Sequence, residues 1–518
     1  MNYHQKTGLL IIVSTLLRMV VAANLELGND EVYYQAYALH LQWNYFDHPP
    51  MVALLIRLST ANLFFHHEFF IRLGPIVCAA LGSWLMFKTG CLLRNPRMGW
   101  IAAFLYNTSF YTSIIAGTFI LPDSFHVLCW MGSIYLMIRI LKGNRSNQSI
   151  GFAFILLGIS IGFCVMSKVQ GVFLWLGFGA YLLFHRRELL KSPMLWISAV
   201  ISLVIISPIY WWNVDNHFIT YHYHGSRISF LGKPDLDDLL QQVLGSAFYN
   251  NPVNVALYII TLIALGRKKW SQRPPELFPL LIWLSLPLIG VLLWTSMFNA
   301  TLPHWSGPAY LSLMLLSANW LEAKMNIRYA TGWLKSAAWF YGLVVILGFL
   351  AIRLLPINIG SPEDRTLGTA DPGLDMTGWK NFAVQFDSLY RADIDSHKMK
   401  PGSLILSDYW FPAGHLDHYV ALPNHQNLLV AGPLNNIHHF AWLNQLRNRM
   451  VPGSDAYFIY PSNYYGPPSP ALRKDFALVG DSLIFPQWRS GVRVRNFVVY
   501  RLHNFSGDSL DYLIPGIH

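Results

Sequence analysis

Polar and apolar positions along this chain fall into long blocks. Apolar runs occur near residues 8–25, 70–92, 99–120, 124–141, 150–166, 170–184, 193–212, 245–265, 277–297, 308–322 and 336–355. About 20 consecutive apolar residues cross the hydrocarbon of a bilayer as a helix, so the pattern predicts about eleven transmembrane helices, some of them short. From about residue 356 the pattern changes to a mixed polar segment rich in Pro, Gly, Asn and His. Within it, SLILSDYW (403–410), NLLVAG (427–432), DAYFIYP (455–461) and VRNFVVYRL (494–502) have strand character, while WKNFAVQFDSLYR (379–391) and IHHFAWLNQLRNR (437–449) read as helices. Strands alternating with helices predict a small α/β layer. The expected organisation is an α-helical polytopic membrane domain over 1–355, with a long first outer loop near 24–69, and a soluble α/β domain over 356–518.

Composition agrees with the block pattern. Of 518 residues 53% are hydrophobic and 12% charged, against about 25% charged in a soluble domain. The aromatic share of 15%, with 19 Trp and 26 Tyr, suits a protein that lines two water–lipid interfaces. With a cytoplasmic N-terminus, the even-numbered connections carry the basic residues: Arg94 and Arg97; Lys142 and Arg145; Arg186, Arg187 and Lys191; Arg267, Lys268, Lys269 and Arg273; Lys324, Arg328 and Lys335. The net charge of +10 is thereby read as topology, and a nucleic-acid partner loses its main support. An odd number of spans puts the C-terminal domain on the outer side, the periplasm if this is a bacterial inner-membrane protein. Val21-Ala22-Ala23 has the small residues of a signal-peptide processing site, but Arg18 interrupts the apolar region that a signal would keep intact. Cys78, Cys91, Cys129 and Cys164 all fall in or beside predicted spans and indicate neither a disulfide framework nor a thiolate metal site.

On this topology the outer face collects ionisable groups from four distant places. Asp30, Glu31, Asp47 and His48 lie in the first outer loop, Asp123 in the turn between the third and fourth spans, Lys168 between the fifth and sixth, and His304-Trp305 at the start of the tenth. Singly, each has an ordinary structural use as a helix cap or a snorkelling anchor. Acids and cations converging on one membrane face instead suggest a site. Arg18, inside a span, is a candidate partner for Asp30 or another outer-face anion.

Asp30-Glu31-x-Tyr33-Tyr34, Tyr45-Phe46-Asp47-His48-Pro49-Pro50, Pro122-Asp123, Ser167-Lys168 and His304-Trp305-x-x-Pro308 together resemble the bacterial members of glycosyltransferase family 39. Those enzymes are C-type glycosyltransferases dependent on polyprenyl-phosphate sugars, alongside the protein O-mannosyltransferases and the lipid A aminoarabinose transferases. The likeness covers about residues 1–355. It implies an inverting transfer of a sugar from a polyprenyl phosphate to a hydroxyl or phosphate of an envelope glycan, lipid A or protein acceptor at the periplasmic face. It also implies catalytic roles for Asp30, Glu31 and Asp123. The aminoarabinose transferases carry Asp-Glu-x-Arg and Lys-Pro-Pro, whereas this chain has Tyr33 and His48 at the corresponding places, a departure that leaves open whether it shares their particular sugar and lipid A acceptor.

The chemistry accounts for the residue types. A sugar phosphate already has a good leaving group, so the reaction needs a base for the acceptor and cations for the departing phosphate. Asp30 is the expected base, with Glu31 tuning it or holding the site's geometry. Lys168, His48 and Arg18 are the expected phosphate ligands, His48 becoming cationic beside an anion. Tyr33, Tyr34, Asp47, His304 and Trp305 are candidates for contacts to sugar, lipid or acceptor. No cofactor is required, although a divalent metal at Asp47-His48 is a further reading. The His438-His439 and His415/His418 pairs lack a carboxylate at matching spacing. The alternatives are a secondary transporter, against which stands the lack of an inverted repeat, and another lipid-linked glycan enzyme such as a polymerase or ligase.

Overall fold

The computed structural model describes residues 1–143, 148–225, 233–267, 277–323, 327–464 and 466–506. The chain divides into two compact units, one of Met1–Ala23 with Gln42–Val345 and the other of Asn24–Leu41 with Ile346–His518.

Among the described residues seven helices are long and apolar enough to cross a membrane: Tyr3–Asn24, Glu68–Leu93, Asp123–Lys142, Ser149–Ser167, Pro193–Asp215, Phe278–Thr295 and Arg328–Leu354. The pair Leu236–Tyr249 and Pro252–Gly266, bent by 102°, makes an eighth span if it crosses as one. Each predicted apolar run is therefore a helix, but not each is of spanning length. The run 99–120 becomes Pro96–Thr108 followed by a π-helical turn at Tyr111–Ile115, 170–184 becomes Val172–His185, and 308–322 becomes Gly307–Ala323. The protein is a multi-pass membrane protein, with seven or eight long spans among the described residues and shorter helices between them.

Local chemistry explains the breaks. The bend between Leu236–Tyr249 and Pro252–Gly266 falls at Asn251, whose φ of 65° no continuing helix allows, followed by Pro252, which has no N–H to give. Asn95 starts the Pro96–Thr108 helix by accepting from Met98 N at 3.0 Å, with Pro96 in the first turn where a missing donor costs nothing. The preceding helix lies close against it: a Cβ on Gly90 would stand 2.5 Å from the Gly99 Cα, so two glycines permit backbone-to-backbone packing. Some basic residues of the loops also end helices. Lys142 Nζ donates to the carbonyls of Leu92 and Leu93 at 2.8 and 3.1 Å, and Arg94 pairs with Glu322. Arg145, Lys268, Lys269, Arg273 and Lys324 lie outside the described residues.

The second unit is built on a five-stranded sheet of β1 (Leu404–Ser407), β2 (Leu428–Val430), β3 (Ala456–Pro461), β4 (Phe476–Arg489) and β5 (Val492–Phe505), in the order β2-β1-β3-β5-β4. β1 is parallel to both β2 and β3, and β5 is antiparallel to β3 and β4. Leu404, Leu406, Phe458, Leu472 and Leu502 form one core of this unit. Strand β4 was not expected, because Gly480 and Pro486 interrupt its alternation and much of it is exposed. The helix expected over 437–449 is reduced to Phe440–Gln445, since His438 takes a φ of 51° and ends the turn before it. Residues 24–41, expected as part of the membrane domain's outer loop, fold with this unit as an extended lead into the Asn29–Leu39 helix.

Candidate active site

In the membrane unit the candidate site is centred on Asp123. It opens the Asp123–Lys142 helix directly after Pro122, so its carboxylate lies at the positive end of the helix dipole. Lys168 follows the last residue of the Gln148–Ser167 helix in extended backbone, φ −159° and ψ 134°. Its Nζ donates to both carboxylate oxygens of Asp123, at 2.9 Å to Oδ1 and 2.7 Å to Oδ2. The Tyr111 hydroxyl donates to Oδ1 at 2.7 Å. Lys168 and Asp123 are 4% and 2% exposed. Two charges withdrawn from water cost several kcal/mol each, about what their attraction returns, so such a pair is weak evidence of a stabilising role. Of the three ammonium donors of Lys168, the hydrogen bonds found among the described residues go to Asp123 alone.

Arg18 does not join this cluster. It is 1% exposed, with Nε donating to the Ser113 carbonyl at 3.2 Å and Nη2 to Asn107 Oδ1 and Ser113 Oγ at 3.0 Å each. The buried guanidinium holds the π-helical turn Tyr111–Ile115 that carries the Tyr111 hydroxyl, and its Nη1 is buried with no hydrogen-bond partner among the described residues.

The Asp47-His48-Pro49-Pro50 turn rests on the Ile219–Gly225 helix. His224 Nε2 donates to the Asp47 carbonyl at 2.9 Å, Asn44 Nδ2 to Thr220 Oγ1 at 3.1 Å, and Phe46 packs on Tyr223 at 4.5 Å between ring centres. Burial pulls the His48 imidazole down to about 4, against the opposing charge of Asp47. Burial and then the Lys168 charge pull His304 down to about 4 as well. Both are neutral at pH 7, so without an anion beside it His48 is a neutral hydrogen-bonding group and carries no charge. His304 sits in the turn Pro303–Ser306 with its ring edge-on to Tyr249, 5.9 Å between centres. The turn is pinned by Ser246 Oγ, 3.1 Å from both the Pro303 carbonyl and Ser306 Oγ. Trp305 is half-buried and packs against the helical core.

Two residues of this cluster were not foreseen. His126 stands one turn after Asp123 and donates from Nδ1 to the Cys164 carbonyl at 3.0 Å, leaving Nε2 buried with no hydrogen-bond partner among the described residues. Its i,i+3 spacing from Asp123 was a usable signal. Tyr111 gave none, because a π-helical turn shifts the register that helical periodicity relies on.

The Asp30-Glu31 pair belongs to the second unit. Asp30 is exposed in the first turn of the Asn29–Leu39 helix, whereas Glu31 is 2% exposed and accepts from the Gly28 N–H at 2.9 Å. That bond is half of a capping box, so Glu31 has a structural task at its own helix start. Tyr33 and Tyr34, expected as ligand platforms, are 1% and 4% exposed. Tyr33 packs against Tyr37 and Trp410 at 4.8 Å between centres, and its hydroxyl accepts from His439 N at 3.1 Å. This corrects the expectation: both rings are interior packing that fastens the helix, and a stacking platform needs an open face. Among the described residues no three His, Cys, Asp or Glu side chains are grouped to hold a metal ion, at Asp47-His48 or elsewhere.

The family described as dolichyl-phosphate-mannose-protein mannosyltransferase matches residues 47–212, the segment that carries His48, Asp123 and Lys168. Over 380 residues the chain is 24% identical to the lipid A galacturonosyltransferase RgtD of Rhizobium johnstonii, covering 71% of this chain and 74% of that protein. The crystal structure of ArnT from Cupriavidus metallidurans in the apo state aligns over 96% of this chain and 98% of that one, with a TM-score of 0.61 and 15% identity. Residues 47–212 are thus similar to that mannosyltransferase family, and the fold over nearly the whole chain is that of ArnT. The same ArnT bound to undecaprenyl phosphate aligns over 95% of this chain and 97% of that one, with a TM-score of 0.60 and 15% identity.

Proposed function

We propose that this glycosyltransferase moves a sugar from a polyprenyl phosphate to lipid A at the periplasmic face of the inner membrane, with inversion at the anomeric carbon. The observation that carries the reading is the buried Lys168–Asp123–Tyr111 constellation, in which a lysine held by two bonds to one carboxylate keeps a third proton for the donor phosphate. Asp123 and Tyr111 fix the ammonium in place before the donor arrives, which is how a leaving-group cation stabilises developing charge without reorganising. Neutral His48 and His304 add hydrogen bonds to phosphate or sugar. Asp30, exposed in the first turn of its helix, takes the proton of the acceptor as the acceptor oxygen attacks the anomeric carbon and the carbon–phosphate-oxygen bond breaks.

Support for the donor comes from ArnT crystallised with undecaprenyl phosphate, and support for the acceptor from the lipid A galacturonosyltransferase. The departures at Tyr33 and His48 then concern the sugar and leave lipid A in place as the acceptor. The test is mass spectrometry of lipid A from cells with and without the gene, together with transfer of label from purified polyprenyl-phosphate sugars. One added sugar per lipid A, absent with Asp30→Asn, is the expected result. Unmodified lipid A with label entering the protein fraction would overturn the acceptor in favour of a protein hydroxyl, the acceptor that the matching family's description names.

A further inference from the structure

We infer that the tip of the β4–β5 hairpin, with Trp488 at its edge, is a lipid anchor that seats the second unit in the headgroup layer of the membrane. The last membrane helix leaves the hydrocarbon with an open apolar stripe: Ile346, Leu347, Leu350 and Leu354 are 58%, 56%, 42% and 57% exposed. Their spacing of i, i+1, i+4 and i+8 keeps them on one helix face, the lipid-facing side of a span. The stripe does not stop where the helix does, since Ile357 and Ile359 beyond it are each 52% exposed.

The hairpin tip is fastened to this exit. Ser490 Oγ donates to the Leu354 carbonyl at 2.9 Å, Arg489 Nε to the Leu355 carbonyl at 3.0 Å, and Arg489 Nη2 to the Ile357 carbonyl at 2.9 Å. Arg489 is itself locked by Asp371, 2.7 Å from Nη2, with both side chains buried. The tip can turn here because Ser490 and Gly491 take φ of 46° and 85°, the two left-handed residues of a tight hairpin. Adjacent to these fixed points, Trp488 is 60% exposed. An indole held open beside the end of a span, continuous with apolar surface that lipid already covers, matches the interfacial belt in which Trp places an apolar ring and a polar N–H at once. Arg353, exposed in the final turn, supplies a positive charge at the same level for lipid phosphate. The partner is therefore the bilayer's headgroup and upper acyl region.

The test uses the whole chain in lipid nanodiscs, with Trp488→Cys labelled by a polarity-sensitive fluorophore and Val384→Cys, 68% exposed on another helix of this unit, as the reference. Cys78, Cys129 and Cys164 are buried and Cys91 half-buried, so the unsubstituted chain reports the background. The label at 488 is expected to emit to the blue of the label at 384. It is also expected to be quenched more by lipids spin-labelled near the headgroup than by lipids labelled at the chain end. Equal emission and equal quenching by an aqueous quencher at the two positions would overturn the anchor. So would blue emission lost on dilution to one chain per disc, which would assign the face to a second copy.

Discussion

Asp30 combines a proton-acceptor oxygen with a place in the first turn of a helix, and Asp30→Asn separates the two. Asparagine keeps the size of the side chain but cannot act as a base, and the helix start is capped by Gly28 and Glu31 in either case. The expected outcome is a normally folded enzyme whose transfer falls by at least about a hundredfold, measured as initial rate with donor saturating. Glu31→Gln keeps an acceptor for the Gly28 N–H and is expected to cost less than about 1 kcal/mol in stability with a mild loss of rate. Lys168 carries a different signature. Lys168→Ala leaves a buried carboxylate without its cation, so it is expected to lower both donor use, by about 3 kcal/mol of transition-state stabilisation, and thermal stability. Adding Asp123→Asn to Lys168→Ala should restore much of the melting temperature and none of the transfer, because the stranded charge is gone and the phosphate contact remains missing. A double variant as unstable as the single one would show that the pair is not coupled in this way. The histidines set a pH dependence. Their folded values of about 4 lie below the ordinary 6.5, so the unfolded chain binds more protons between those limits. Their contribution to stability is complete above about 6.5 and is lost as pH falls toward about 4. The melting temperature in detergent should drop over that window, and His48→Gln should flatten the drop. At this scale the sequence displayed residue types well, since Asp123, Lys168, His48 and His304 share one electrostatic neighbourhood. It could not display that Lys168 is committed to Asp123 or that Arg18 bonds Asn107 and Ser113 through Nε and Nη2, because those are choices of partner made by packing.

The Asn29–Leu39 helix shows what an element adds. Its start is held by the second unit at several points: His415 Nε2 donates to Asn29 Oδ1 at 2.9 Å, Tyr419 accepts from Leu27 N at 2.7 Å, and the Glu26 carboxylate accepts from Trp379 N at 2.7 Å. The His415 ring lies flat on Trp379, 4.1 Å between centres and 1° between planes, so its donor is aimed by packing. The residue bonded to His415 is the immediate neighbour of Asp30. His415→Leu removes the bond while filling most of the volume, and His415→Gln offers an amide donor in its place. The expected result is a lower kcat with little change in donor KM for the leucine variant and partial recovery for glutamine. A KM effect of equal size in both variants, with kcat untouched, would show that His415 merely packs. Sequence reading treated 24–69 as one loop of the membrane domain because its apolar content was too short for a span. Only the contacts of Tyr33 with Trp410 and His439 reveal that its first part is structurally a piece of the distant C-terminal unit. Element boundaries failed for a related reason. The strands β1, β2 and β3, short continuous apolar runs buried along almost all of their length, were legible, whereas β4, whose pattern is broken by Gly480 and Pro486, and the π-helical turn at Tyr111 are stabilised by neighbours that no local pattern records.

At the scale of the whole molecule the alternation of apolar blocks and basic loops carries the most information, since spanning a bilayer demands length and the translocation machinery reads Lys and Arg. Every apolar run became helix, yet run length misjudged how many would be long enough to cross, because a break such as Asn251-Pro252 is a local event inside a block whose average hydropathy stays high. Orientation does not depend on the number of long helices alone. It depends on where the positive charge stays, and, counted over the eleven apolar runs, Arg94, Lys142, Arg186, Arg187 and Arg328 all lie in alternate connections. If those connections are cytoplasmic, the chain after the last helix, Arg328–Leu354, emerges in the periplasm together with the sheet. Alkaline phosphatase fused after Ser361 should then be active, and a reporter that functions only in the cytoplasm should be silent at the same position. Fusions after Lys142 should give the opposite pattern. The reverse result at Ser361 would place Asp30's unit on the side where an envelope acceptor never arrives, and with it the proposed transfer to lipid A would fail, whatever the geometry of Asp123 and Lys168.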